Sequence, residues 1–144
     1  MLVLLPLTIG GLLYVAFRPT HLLLFQWAEV LGLADAVTAL RLLADPYAPG
    51  MPRWVIDSAP AALWAFAFTG CMSRLWYGRL QPRAWFWITT AAFVGVGSEL
   101  LQIAGHVPGT FDPFDLLAYV VGSVLGVWAA LFLIPKITNR LENT

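Results

Sequence analysis

The stretch PFDLLAYVVGSVLGVWAALFLIP, residues 113–135, decides the fold class. Its one charged side chain is Asp115, near the start. Crossing the hydrocarbon core of a bilayer takes about 20 consecutive apolar residues in a helix, and this run supplies them. Two more runs, 55–77 and 84–104, reach the same length, and a shorter one covers 2–17. The first would need local thinning of the bilayer, or continuation past Arg18, to span fully.

Composition agrees. Sixty per cent of the 144 residues are hydrophobic and 11% are charged, against about 45–50% and about 25% in soluble domains. A chain of this size has too little interior to hide that excess, so it must face lipid. The sequence predicts an all-α integral membrane bundle of four to five transmembrane helices, forming one domain over residues 1–144. Eight basic and eight acidic residues leave no basic stripe for nucleic acid. Cys71, the only cysteine, allows no intrachain disulfide. Residues 2–17 lack the basic start and the small-residue cleavage site of a signal peptide, so they read as a retained helix.

Residues 19–44 are ambiguous. They are apolar enough to enter a membrane yet carry His21, Gln26, Glu29, Asp35 and Arg41 scattered around the helix. The expectation is a segment packed inside protein, as a polar-studded span or a re-entrant hairpin. The prolines of 45–52 exclude helix there and predict an ordered loop, and 77–83 and 105–112 read as turns.

Arg74, Arg79 and Arg83 surround one turn, and Lys136 and Arg140 follow the last run. Two crossings separate these groups, so both fall on one side, which the positive-inside rule makes cytoplasmic. The loops 45–54 and 105–112 then face outward and the C-terminus inward, in a bacterial cytoplasmic membrane. Trp54, Trp76, Tyr77, Trp85 and Trp87 fall at the predicted water boundaries. Small residues recur every four positions at Ala118, Gly122 and Gly126, at Ala61, Ala65, Thr69 and Ser73, and at Ala91 and Gly95. That spacing lets helices approach closely in lipid.

A carboxylate inside a spanning helix costs about 2.5–3.5 kcal/mol and needs a reason. Glu99, with Gln102 and His106 three and seven residues on, marks one face of the third run. The following turn delivers Asp112 and Asp115. Asp112-Pro113 reads as an N-cap followed by proline at the first helical position, and Asp115 suits the positive end of the helix dipole. Glu99 lies at the unfavourable end of its own helix, so it is either protonated or paired with a cation, the candidates being Arg18, His21, Arg41 and Arg53, with Arg41 the favoured partner. Asp57-Ser58 reads as a cap of the second long run. His106 has no second histidine at metal spacing, so neither a metal nor another cofactor is expected. Ser98 has no motif of an activated nucleophile around it.

The stretch GSELLQIAGHVPGTFDPFDLLAYVVGSVLG, residues 97–126, resembles the signature half of the VanZ-like membrane protein family. The pattern is a glutamate, a glutamine three residues later, a turn, an aspartate opening the next helix and then spaced glycines. Here Glu99, Gln102, Asp112, Asp115, Gly122 and Gly126 carry it. The chain departs from it at Thr110, where many members have arginine nearby, and at Tyr119, where many have asparagine. The resemblance implies an envelope protein of a family whose founding member is associated with resistance to the glycopeptide teicoplanin.

The leading functional expectation is a non-catalytic inner-membrane protein. It would offer an outward-facing polar pocket of Glu99, Gln102, His106, Asp112, Asp115 and Arg41 to a lipid head group or glycopeptide-like amphiphile. Its expected partners are membrane lipid, an amphiphilic small molecule, and other membrane proteins or further copies of the chain. A second reading is an accessory subunit of a larger membrane complex. A third is an intramembrane enzyme, with Glu99 as acid and Asp115 as base on a lipid-linked substrate.

Overall fold

The computed structural model describes residues 1–79, 81–107 and 110–133. Lys136 and Arg140, part of the orientation argument, lie outside them, as do Gly109 and the end of the last apolar run. The described residues form α1 (Leu4–Phe17), α2 (Leu23–Val30), α3 (Ala34–Ala44), a 3-10 helix (Asp45–Gly50), α4 (Arg53–Asp57), α5 (Ala59–Leu75), α6 (Pro82–Ile103) and α7 (Pro113–Phe132), with no strand among them.

Two of these helices are long and apolar enough to cross a membrane. They are α6, with 22 residues and mean hydropathy 1.3, and α7, with 20 residues and mean hydropathy 1.8. Only 22% and 28% of their apolar windows are buried. Phe86, Phe93, Val94, Val124 and Phe132 all lie exposed along them. The other two long runs form shorter helices. Fourteen residues of α1 span about 21 Å, and Pro19 ends it by forcing Arg18 into extended backbone (ψ 152°). The run 55–77 is interrupted at Ser58, because Pro60 has no N–H for the Ile56 carbonyl one turn back.

The small-residue stripes bring the helices together. α5 and α7 run parallel in close contact: a methyl at Gly122 would overlap the Ala62 carbonyl oxygen, and one at Gly126 would lie 2.5 Å from the Phe66 carbonyl oxygen. Ala65, Thr69, Ser73, Ala129 and Ala130 are buried at or beside this seam. α1 lies antiparallel on α5, with Gly10 against Leu63 and Leu2 against Gly70. α6 lies antiparallel to α7, where Gly95 has no side chain and the Tyr119 ring takes the space. Ala91 is fully buried one turn away.

Residues 19–44 form a hairpin, not a full span. A full span is prevented at Gly32, whose φ of +71° closes α2 with two backbone bonds, Leu33 N to Ala28 O and Gly32 N to Glu29 O. That is the left-handed glycine stop of a helix. Nor is the segment packed inside protein. Phe25 is the only buried residue of α2, and α3 has none. The product is a short helical hairpin that lies on α1 through α3 and through Phe25, whose ring stacks on Tyr14. Its polar groups scatter because it has no single buried face. The prolines of 45–52 exclude an α-helix, as expected, but not the tighter 3-10 helix. Pro46 sits at its start, where a missing N–H costs nothing.

Candidate functional site

The helices of the bundle alternate in direction along the chain, so the end of α1, the starts of α5 and α7 and the end of α6 meet at one end. Every acid singled out in the last third of the chain lies there. Glu99, on the last turns of α6, is only 3% exposed. Its Oε2 accepts a hydrogen bond from the backbone N–H of Asp112 at 3.0 Å. Asp112 in turn caps α7, its Oδ1 accepting from the Phe114 N–H at 2.8 Å, with Pro113 as the first helical residue. The two carboxylates act in series: Glu99 fixes the backbone of the capping residue and Asp112 fixes the first turn of the helix.

The expected pairing of Glu99 with Arg41 is not found. Among the described residues no basic side chain bonds Glu99. Arg41 donates instead from Nη1 to the carbonyl oxygens of Val15 at 2.9 Å and Arg18 at 2.8 Å, and its guanidinium lies over the Phe25 ring. It satisfies orphan carbonyls at the end of α1. The hairpin places α3 beside α1 rather than α6, which is why Arg41 meets the wrong helix for that pairing.

The face shared by Glu99, Gln102 and His106 is also broken. α6 ends at Ile103 and Gly105 takes φ +71°. His106 N then reaches back to Leu101 O, and Gly105 N to Gln102 O. His106 leaves the helical register and is exposed. Gln102 stays half-buried, with its Oε1 unpartnered.

Asp115 belongs to a different place. It lines a cavity of about 360 Å³ between α1, α5 and α7. The walls include Leu7, Gly11, Tyr14, Ala61, Trp64 and Tyr119, and the only charged residues are Arg18 and Asp115. Arg18 is anchored on the first turn past Pro52, Nη2 donating to the Asp57 carbonyl oxygen at 2.8 Å and Nη1 lying 3.6 Å from Asp57 Oδ1. Asp57 is therefore an anchor for Arg18, and Ser58 makes no capping bond, contrary to the expectation that this pair caps the helix. Arg18 and Asp115 are close enough to sense each other's charge but form no ion pair. Arg18 Nε is buried without a hydrogen-bond partner, while the buried Ser58 hydroxyl stands beside Asp115 as the one donor toward its carboxylate among the described residues. A second cavity of about 420 Å³ lies across the Arg18–Asp57 pair, lined by Arg53, Trp54, Asp57, Asp112, Pro113 and Phe114.

The expected single pocket is thus divided. Asp115 lines one cavity and Asp112 the other, Glu99 is tied to backbone, His106 is exposed and Arg41 is at the end of α1. The sequence offers Arg18 as a partner for Glu99, not for this cavity. The available signal was its place directly before a proline at the end of an apolar run. No family model, curated protein or solved structure matches this chain.

Proposed function

We propose that the chain is a multi-pass protein of a bacterial cytoplasmic membrane that holds an amphiphile, without transforming it, in the cavity between α1, α5 and α7. In this reading α1 and the interrupted α4–α5 cross the bilayer beside α6 and α7, giving four spans. The end holding Asp112 and Asp115 faces outward, because Arg74, Arg79 and Arg83 gather at the other end. The observation that carries the reading is one cavity with apolar and aromatic walls and just two charged residues, Arg18 and Asp115, at its polar end. Ligand sites for apolar molecules have this make-up, and about 300–1,000 Å³ is their usual size.

The VanZ-like resemblance fits an envelope protein meeting a glycopeptide-like amphiphile, and it contributes no more than that. Glu99 has its acceptor role filled by the Asp112 N–H, which favours holding over proton transfer.

Gly11 supplies the test. It lines the cavity, and a side chain there would meet nothing within 4 Å. Gly11→Leu should fold, since leucine is the better helix former, and should fill the site. Purified in a mild detergent, the parent should retain an amphiphile that the variant lacks. Equal amounts in both would defeat the proposal.

A further inference from the structure

Resting on that reading, we infer that the bound amphiphile is zwitterionic, carrying a primary ammonium for Asp115 and an acid group, such as a phosphate diester, for Arg18. The argument starts from charge balance at the polar end. Arg18 is held by Asp57, and the exposed Arg53 reaches the same carboxylate at 3.9 Å. Arg41 is taken up by backbone carbonyls. Among the described residues Asp115 forms no ion pair, and the donor beside its buried carboxylate is the neutral Ser58 hydroxyl, which leaves the charge uncompensated. A carboxylate held by a hydroxyl alone still has room for a cation with N–H groups on its cavity side.

Arg18 complements it. Its Nη atoms are engaged by Asp57 while Nε–H has no acceptor. An anionic oxygen would make a charge-assisted bond there, of the kind guanidinium groups form with phosphates. One anion alone would face Asp115 and Asp57 together. One cation alone would face Arg18. A head group bearing both signs meets each with its opposite, and its chain runs along Leu7, Gly11, Val15 and Trp64. Phosphoethanolamine has this chemistry.

The test titrates the detergent-purified full chain with phosphatidylethanolamine, phosphatidylglycerol or phosphatidylcholine of matched acyl chains, reading bound lipid by native mass spectrometry. Phosphatidylethanolamine should be preferred by about tenfold over the other two, the glycerol head group lacking the cation and choline lacking N–H donors. Asp115→Asn should reduce this preference to within about twofold, and Asp115→Glu should restore part of it. Equal binding of the three lipids by the parent would overturn the zwitterion assignment and leave the amphiphile reading intact. Occupancy unchanged by Gly11→Leu for every lipid would remove both. Soluble glycerophosphoethanolamine competing as well as the lipid would overturn the lipid source.

Discussion

The Glu99 carboxylate and the backbone N–H of Asp112 form a 3.0 Å hydrogen bond that ties the end of α6 to the start of α7. The bond is made to a residue whose own side chain caps the next helix. It gives a buried acid in a largely apolar chain a structural role that requires no cation.

Glu99→Gln should therefore be mild, because its amide oxygen accepts the same N–H. Glu99→Ala leaves that N–H without a partner and should cost about 1–3 kcal/mol. Thermal unfolding in detergent measures both. Adding Arg41→Gln to Glu99→Gln should give additive losses, since the two side chains share no partner. A rescue by the second substitution would restore the ion pair that the structure lacks.

Asp112 separates a cap from a ligand group. Asparagine caps about as well as aspartate, whereas alanine costs about 0.5–2 kcal/mol. Asp112→Asn should keep its melting temperature and its retained amphiphile, and Asp112→Ala should lower the first. Loss of amphiphile from a stable Asp112→Asn protein would give Asp112 a binding role as well.

The α5–α7 seam should be the least tolerant part of the chain. Gly122→Val would drive a branched side chain into the Ala62 carbonyl, at about 1–3 kcal/mol or more for overpacking. Gly97→Val, where a side chain meets nothing within 4 Å, should change stability far less. Similar melting temperatures for the two variants would mean that the helices do not meet through Gly122.

These elements differ in how far the sequence discloses them. The cap at Asp112 and the glycine stop at Gly105 depend on neighbours within a few residues, so spacing exposes them. Gly122 and Gly95 are legible as small residues at helical spacing, though not which carbonyl or ring they meet. Pro60 marks the break within the run 55–77, but the apolar length of that run conceals it. Arg41 and Arg18 could not be assigned, because their partners are set by where the 19–44 hairpin folds, and Gly32 sends α3 back against α1. Once Arg18 is fixed by Asp57, Asp115 becomes the acid facing the cavity. Periodicity along one helix cannot reveal that.

Orientation is open to direct chemical labelling. With Cys71→Ser as background, Thr110→Cys should react with an impermeant thiol reagent in intact cells and Gly78→Cys should not. Both positions are exposed and lie at opposite ends of α6. Reaction at Gly78→Cys alone would invert the protein and place the cavity's polar end in the cytoplasm.

The central claim is that the cavity at Gly11 selects a ligand, whereas the outside of the bundle merely meets lipid. Gly11 and Gly97 both have open space where a side chain would stand, one in the cavity and one on α6 away from it. A photo-crosslinking amino acid placed at each, irradiated in native membranes, yields adducts whose masses identify the neighbouring molecules. The account predicts one dominant amphiphile at Gly11 and the bulk lipid mixture at Gly97. The same mixture at both positions would contradict it.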